Sequence, residues 1–291
     1  MFKFMCEAHT IIVNCQLSIR KGFDIMLVLL LVVIAVYLFA IRCRSGHPGM
    51  KDLQGWAYAH RGLHGNGVPE NSMPAFKAAL DHGYGIELDI HLLKDGNLAV
   101  IHDALLNRTT GAAGTIEDLT TEQLKDYRLE GTEETIPEFQ DVLTLYNGKA
   151  PLIVELKPEN GNHAALTEAA CRMLDSYKGV YCLESFDPRC VAWLKKNRPD
   201  IIRGQLSSNF VKSKSDLPDY LKFALTHLLT NIMCTPDFVA YKFKERRDSI
   251  STWLCVKLWK AQPVTWTIRT QEDYDTAVKE GWLPIFEYFT P

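Results

Sequence analysis

The sequence predicts an α/β protein: a TIM-type (β/α)8 barrel with a small insertion after its second strand, preceded by an N-terminal transmembrane helix. Three observations carry this prediction. Strand-length apolar runs alternate with amphipathic segments across roughly 240 residues, the pattern of a parallel sheet built from βα units. Eight such runs can be counted, the number that closes a barrel, with an open doubly wound sheet as the competing architecture. Ahead of them, "DIMLVLLLVVIAVYLFAIRCR" holds an uninterrupted apolar stretch from Ile25 to Ile41.

With 291 residues, 47% of them apolar and 23% charged, the chain has the make-up of a globular protein and not of a disordered one. A formal net charge of -3 supplies no general positive field. Nucleic acid is therefore not an expected partner, and any affinity for anions must be local. Nothing in the pattern speaks to oligomeric state.

Residues 1–24 show no clear pattern and are read as an N-terminal extension. The stretch 25–41 is near the short end of what crosses a bilayer as a helix, and it is apolar on every side, unlike a core helix of a soluble domain. Lys21, Arg42 and Arg44 flank it, and no small-residue cleavage site follows. It is expected to anchor a single-pass membrane protein. The flanking charges do not set its orientation, because Arg20 and Lys21 balance Arg42 and Arg44. Two features favour a cytoplasmic C-terminal domain. Met26 is an alternative start, and the eight cysteines, without a CxxC pair or zinc-ligand spacing, read as free thiols of a reducing compartment. Residues 42–55 are expected to form a linker and 56–291 the barrel.

The expected strands are "WAYAH", "GIELDI", "PLIVEL", "VYCLES", "IIRGQL", "DFVAY", "PVTWTI" and "PIFEY". Amphipathic segments such as "SMPAFKAALDHG", "NHAALTEAACRMLDSY" and "QEDYDTAVKEG" lie between them. Residues 94–135 interrupt the alternation between the second strand and its helix. There "KDGN" is a turn signal and "LAVIHD" a further short strand, so the insertion should begin as a hairpin that returns His102 to the barrel mouth.

In such a barrel the chemistry belongs at the C-terminal ends of the strands. The first strand ends in His60 and Arg61, the second carries Glu87 and Asp89, the third ends in Glu155 and Lys157, and the hairpin ends in His102. Glu87 and Asp89 are two residues apart and share a face, with Ile86, Leu88 and Ile90 on the other. The apolar face should meet the helices, which leaves the carboxylates inside. Like charges confined together repel unless a cation joins them. With Glu155 in the same phase of the next strand, the three suit a hard divalent ion, Mg2+ or Ca2+. The plainer alternative is salt bridging to Arg61 and Lys157. His60 and His102 can divide proton removal from proton donation, and Arg61 and Lys157 supply positive charge for a phosphate.

Among the other histidines, His64 follows the first strand closely enough to touch a substrate. His91 shares the phase of Glu87 and Asp89 but should lie beyond the strand end, and the rest read as surface or helix-end residues. Trp266 ends the seventh strand, where it serves either as an aromatic wall for a glycerol or acyl group or as core packing.

These motifs resemble the glycerophosphodiester phosphodiesterase family. "AHRG", "PENS" with a following "AF", "ELDI" then "KDG", "VIHD", "LNRTTG", "IVELK", "ESFDP" and "VTWTIRT" follow in order from about Trp56 to the C-terminus. The resemblance implies a (β/α)8 barrel over 56–291 and a phosphoric diester hydrolase. It also implies His60 and His102 as general acid and base, Glu87, Asp89 and Glu155 as ligands of a divalent metal, and Arg61 and Lys157 on the phosphate. The chain departs from the family in two places: Leu93 stands where a threonine usually precedes "KDG", and "LPIFEYFTP" replaces the customary "GIITD", leaving Glu287 in the last strand.

The reaction expected is metal-dependent hydrolysis of a glycerophosphodiester to glycerol 3-phosphate and an alcohol. Whether water or the glycerol 2-hydroxyl attacks, and which histidine is the acid, stay open. The alternative is lysophospholipase D or phospholipase D-like cleavage of a membrane lipid, which the anchor would favour. The expected partners are thus a small-molecule or lipid phosphodiester and the membrane.

Overall fold

The computed structural model describes residues 2–291, with side chains from Arg20 onward. It divides into two units, Met1–Ala40 and Ile41–Pro291. The first is a helix, Phe2–Ala40. Within it Arg20–Ala40, 21 residues of mean hydropathy 2.8 with none of them buried, is long and apolar enough to cross a membrane.

The second unit is the expected barrel. Its strands are β1 (Tyr58–His60), β2 (Gly85–Leu92), β3 (Leu98–Val100), β4 (Leu152–Leu156), β5 (Tyr181–Ser185), β6 (Arg203–Ser207), β7 (Phe238–Lys242), β8 (Gln262–Ile268) and β9 (Leu283–Phe286). All except β3 pair in parallel, and β1 pairs with both β2 and β9, which closes an eight-stranded ring. β3 turns back antiparallel on β2, with Ile90 opposite Val100.

Alternation along each strand builds two separate cores. Ile86, Leu88 and Ile90 face outward with Val154 and Leu156 and pack on Phe76, Ala79, Val142 and Leu166 of the surrounding helices. Inward-facing Tyr58, Ile153, Cys182, Phe238, Val264 and Ile285 fill the lower part of the barrel. Leu53 joins this inner cluster from a short helix, Met50–Leu53, and its carbonyl accepts a hydrogen bond from the Tyr58 hydroxyl at 2.6 Å. The stretch expected as a linker, 42–55, thus contributes a plug to the floor of the barrel. Beside it Ile41 and Cys43 are buried, and Arg44 pairs with the buried Asp237 at the start of β7.

The insertion forms a third core of Leu93, Ala99, Ile101, Leu106, Ile116, Leu119 and Leu124. Leu93 is 3% exposed, so the departure from threonine supplies packing there. Helix starts are set locally. Ser72 Oγ accepts from Ala75 N at 3.3 Å ahead of Met73–Asp81, and Asp187 and Thr270 cap Pro188–Asn197 and Gln271–Lys279 in the same way. The six cysteines from Cys43 to Cys255 are free and buried. Cys6 and Cys15 lie outside the residues whose side chains are described.

Candidate active site

Parallel strands entering a barrel leave their C-terminal ends on one rim, and the tight turns that follow decide where side chains point. After His60 the chain turns sharply: Arg61 has φ 54° and Gly62 φ 80°. Arg61 N donates to Glu87 O at 2.8 Å, and Arg61 O accepts from Asn71 N at 2.9 Å, which ties the loop to β2 and to the helix start. A Cβ on Gly62 would lie 2.8 Å from the Ala75 backbone, so only glycine lets the loop pass this close to the helix.

Glu87 and Asp89 point into the barrel at 3% and 1% exposure, with Asp89 beside Glu155 in the β2–β4 register. Oxygens of Glu87, Asp89 and Glu155 lie within 4.8 Å of one another, a donor set of hard oxygens suited to a divalent cation. Burial, reinforced by the neighbouring carboxylates, pushes Glu87 well above its usual range, and burial together with Asp89 pushes Glu155 up to about 7 against the pull of Lys157. Asp89 behaves oppositely: burial is outweighed by Lys157, His102 and Arg61, which hold it ionised. The side-chain carbonyl oxygen of Asn71 is buried without a partner while its amide donates to Asp89 at 2.9 Å. Two carboxylates held short of ionisation beside an orphaned oxygen fit a site that a cation completes.

Arg61 and Lys157 flank this cluster. Lys157 Nζ lies 3.0 Å from Glu155 and 3.4 Å from Asp89, and Arg61 Nε lies 3.4 Å from Asp89. His60 Nε2 lies 3.8 Å from Glu87, and its Nδ1 lies 3.2 Å from Glu287. His102 Nδ1 meets Asp103 at 2.6 Å. Burial lowers the pKa of both histidines, offset in part by their carboxylate partners, and favours neutral imidazoles.

Other sequence-selected residues fall elsewhere. His64 Nε2 lies 3.2 Å from Glu287, behind His60. His91 turns away from the carboxylates, with Nε2 3.2 Å from His102 O and Nδ1 3.8 Å from Glu117. Trp266 stacks edge-on against Phe186 at 5.5 Å, with Phe210 beyond at 6.0 Å, and both Trp266 and Phe186 pack against the inner core of the barrel.

Two contributors, Arg108 and Glu184, have no assignment from the sequence, whereas Glu70 follows the first strand as a residue expected to support its loop or touch the site. Arg108 bridges Asp103 and Glu70, and Glu70 in turn meets Arg61 at 3.0 Å, so a chain of charges runs from His102 to Arg61. Glu184, next to Glu155 in the β4–β5 register, is 1% exposed with one oxygen unpartnered, and burial holds it well above the usual carboxylate range. Its inward phase was readable in "VYCLES". Arg108 was not readable, because the insertion has no period that projects it onto the rim.

Residues 60–281 match the model of the glycerophosphoryl diester phosphodiesterase family. A Bacillus altitudinis glycerophosphodiester phosphodiesterase is 44% identical over 110 residues, 35% of this chain and 44% of that one. A rat protein, lysophospholipase D GDPD1, is 31% identical over 133 residues, 41% of each chain. The match thus spans under half the length of these two relatives. An Oleispira antarctica phosphodiesterase solved with its product sn-glycerol-3-phosphate shares the fold at TM-score 0.67 and 22% identity, covering 84% of this chain and 95% of that one. Because the family model runs from His60 itself through β2, the hairpin and the later strands, the chain belongs to the glycerophosphoryl diester phosphodiesterase family.

Proposed function

We propose that the barrel is a divalent-metal-dependent phosphodiesterase that cleaves glycerophosphodiesters to glycerol 3-phosphate and an alcohol. The observation that carries this reading is the buried triad Glu87, Asp89 and Glu155, flanked by the cations Arg61 and Lys157 and by His60.

A Mg2+ or Ca2+ ion held by the triad would supply charge neutralisation at the phosphoryl group. Arg61 and Lys157 bind and orient the phosphate oxygens for in-line attack. His60 and His102, biased towards neutrality by burial, divide the proton transfers: one takes the proton of the attacking oxygen and the other returns a proton to the departing alcohol. Trp266, paired edge-on with Phe186, would offer an aromatic face to the glycerol or acyl group.

Full-length protein in detergent, given glycerophosphodiesters with Mg2+, Ca2+ or EDTA, should release glycerol 3-phosphate in a chelator-sensitive way. His60→Ala and His102→Ala should abolish that release, and unchanged rates in both variants would sink the mechanism. The rat relative's name and the apolar Arg20–Ala40 helix favour a second reading, lysophospholipase D activity on a membrane lipid. Choline release from lysophosphatidylcholine but not from glycerophosphocholine would select it.

The same helix is read as a single membrane anchor, and the six buried free thiols support a cytoplasmic barrel. Protease digestion of sealed cells should spare the C-terminus, and digestion from outside would reverse the orientation.

A further inference from the structure

A cleft of about 650 Å3 opens beside the catalytic rim, between the insertion and the loop after β4. Its wall includes His102 and Lys157 on the inner side and Leu105, Asn107, Glu117 and Glu159 on the outer side. Because His102 and Lys157, both assigned above to the reacting phosphodiester, line it, the cleft is placed to receive one of the two groups esterified to the phosphate.

The charge of the cleft selects which group. The Lys157 ammonium is committed to Glu155 and Asp89, and Asp103 is committed to His102 and Arg108. Glu117 and Glu159 have no comparable cation. Glu117 is fixed by Asn162 at 2.8 Å and faces the His91 ring at 3.8 Å. His91 is 1% exposed, and its Nδ1, facing Glu117 from behind the cleft wall, has no hydrogen-bond partner. Glu159 stands exposed at the rim. Two carboxylates that line one cleft without a lysine or arginine partner suit a ligand that is itself cationic.

The lining also discriminates between cations. A quaternary ammonium is usually held by the faces of Trp, Tyr or Phe, and none of these is among the residues that line this cleft. Carboxylate, amide and hydroxyl oxygens from Glu117, Glu159, Asn107, Asn160 and Thr115 instead suit an ammonium with N–H donors.

We propose that this cleft binds the alcohol half of the diester and prefers an amino alcohol bearing a primary ammonium, with Glu117 and Glu159 as its specificity-determining residues. The inference rests on the phosphodiesterase reading above. It predicts that kcat/KM falls in the order glycerophosphoethanolamine, glycerophosphocholine, glycerophosphoglycerol.

The test uses the full-length protein with these three diesters and metal. The ethanolamine-to-glycerol ratio of kcat/KM should drop about fivefold in Glu117→Gln and about threefold in the more exposed Glu159→Gln. Ratios unchanged in both variants, or a choline diester used as well as the ethanolamine one, overturn the proposal. Turnover of glycerophosphoglycerol separates the two levels. If no diester is hydrolysed, the phosphodiesterase reading fails and the cleft assignment falls with it; hydrolysis with unmoved ratios sinks the cleft assignment alone. Glu159→Gln, at the exposed rim, keeps the test decisive if Glu117→Gln does not fold.

Discussion

Glu287 Oε1 lies 3.2 Å from His60 Nδ1, across the seam where β9 meets β1 and the barrel closes. The contact fixes the imidazole so that Nε2 faces Glu87 and the rim. Glu287 is itself held by Arg269, 2.8 Å away, and faced by His64. Removing its charge while keeping its shape in Glu287→Gln should therefore lower kcat by about 10- to 100-fold with little change in KM, as for other partners that orient a reacting histidine. Steady-state kinetics check this, and a wild-type kcat would remove Glu287 from the positioning of His60.

The same carboxylate sets a pH dependence of stability. Burial favours its neutral form, but hydrogen bonds with His60 and Arg269 and the nearby His64 ring outweigh burial and hold its pKa below the ordinary 4.5. A depressed folded-state pKa gives stability that is present above 4.5 and is lost as pH falls below it. Thermal unfolding from pH 7 to pH 3 should show wild type losing its advantage over Glu287→Gln below that value. Parallel curves would contradict the assignment.

A divalent ion bound by Glu87, Asp89 and Glu155 should stabilise the folded barrel. At 100 times its Kd the gain is about 2.7 kcal/mol, or about 5–10 °C in Tm for a domain of this size. Melting in Mg2+ or Ca2+ against EDTA measures it, and Asp89→Asn should erase the difference. An equal shift in Asp89→Asn would place the ion elsewhere.

Gly62→Ala meets two penalties at once, a φ of 80° and a Cβ 2.8 Å from the Ala75 backbone. A cost of about 2–3 kcal/mol is expected in denaturant titrations, together with a fall in activity because Arg61 is the adjacent residue. Wild-type stability would mean that the loop has room to move.

Arg44→Ala strips the cation from Asp237, whose side chain is 2% exposed. Loss of about 3 kcal/mol is expected. The double variant Arg44→Ala with Asp237→Asn should recover part of that loss, and simple additivity would show the pair to be uncoupled.

The barrel was legible because buried parallel strands and their covering helices impose two different apolar periods on the sequence. In "GIELDI" the alternation alone assigns Ile86, Leu88 and Ile90 to the outer core and Glu87 and Asp89 to the interior. Glu155 followed from the same phase on the next strand, and the hairpin carrying His102 followed from "KDGN". What stayed hidden depends on tertiary placement. Arg108 reaches Glu70 over a separation of 38 residues, from a loop whose path no local pattern encodes. His91 carries the right strand phase, yet the hairpin turns its ring towards Glu117. The "GHPGMKDL" stretch has linker composition, and its role depends on one side chain, Leu53, fitting a cavity that exists only once the barrel has closed.

On the anchored reading proposed above, that plug would couple the apolar helix to the survival of the barrel. A protease acting just before Ile41 would release an intact barrel, with Leu53, Cys43 and the Arg44–Asp237 pair in place. A cut at the exposed Gln54–Gly55 bond would release one whose floor is open and whose Asp237 is unpaired. Release of a membrane-anchored barrel would then either preserve its fold or begin its unfolding, according to which side of a single short helix is cleaved.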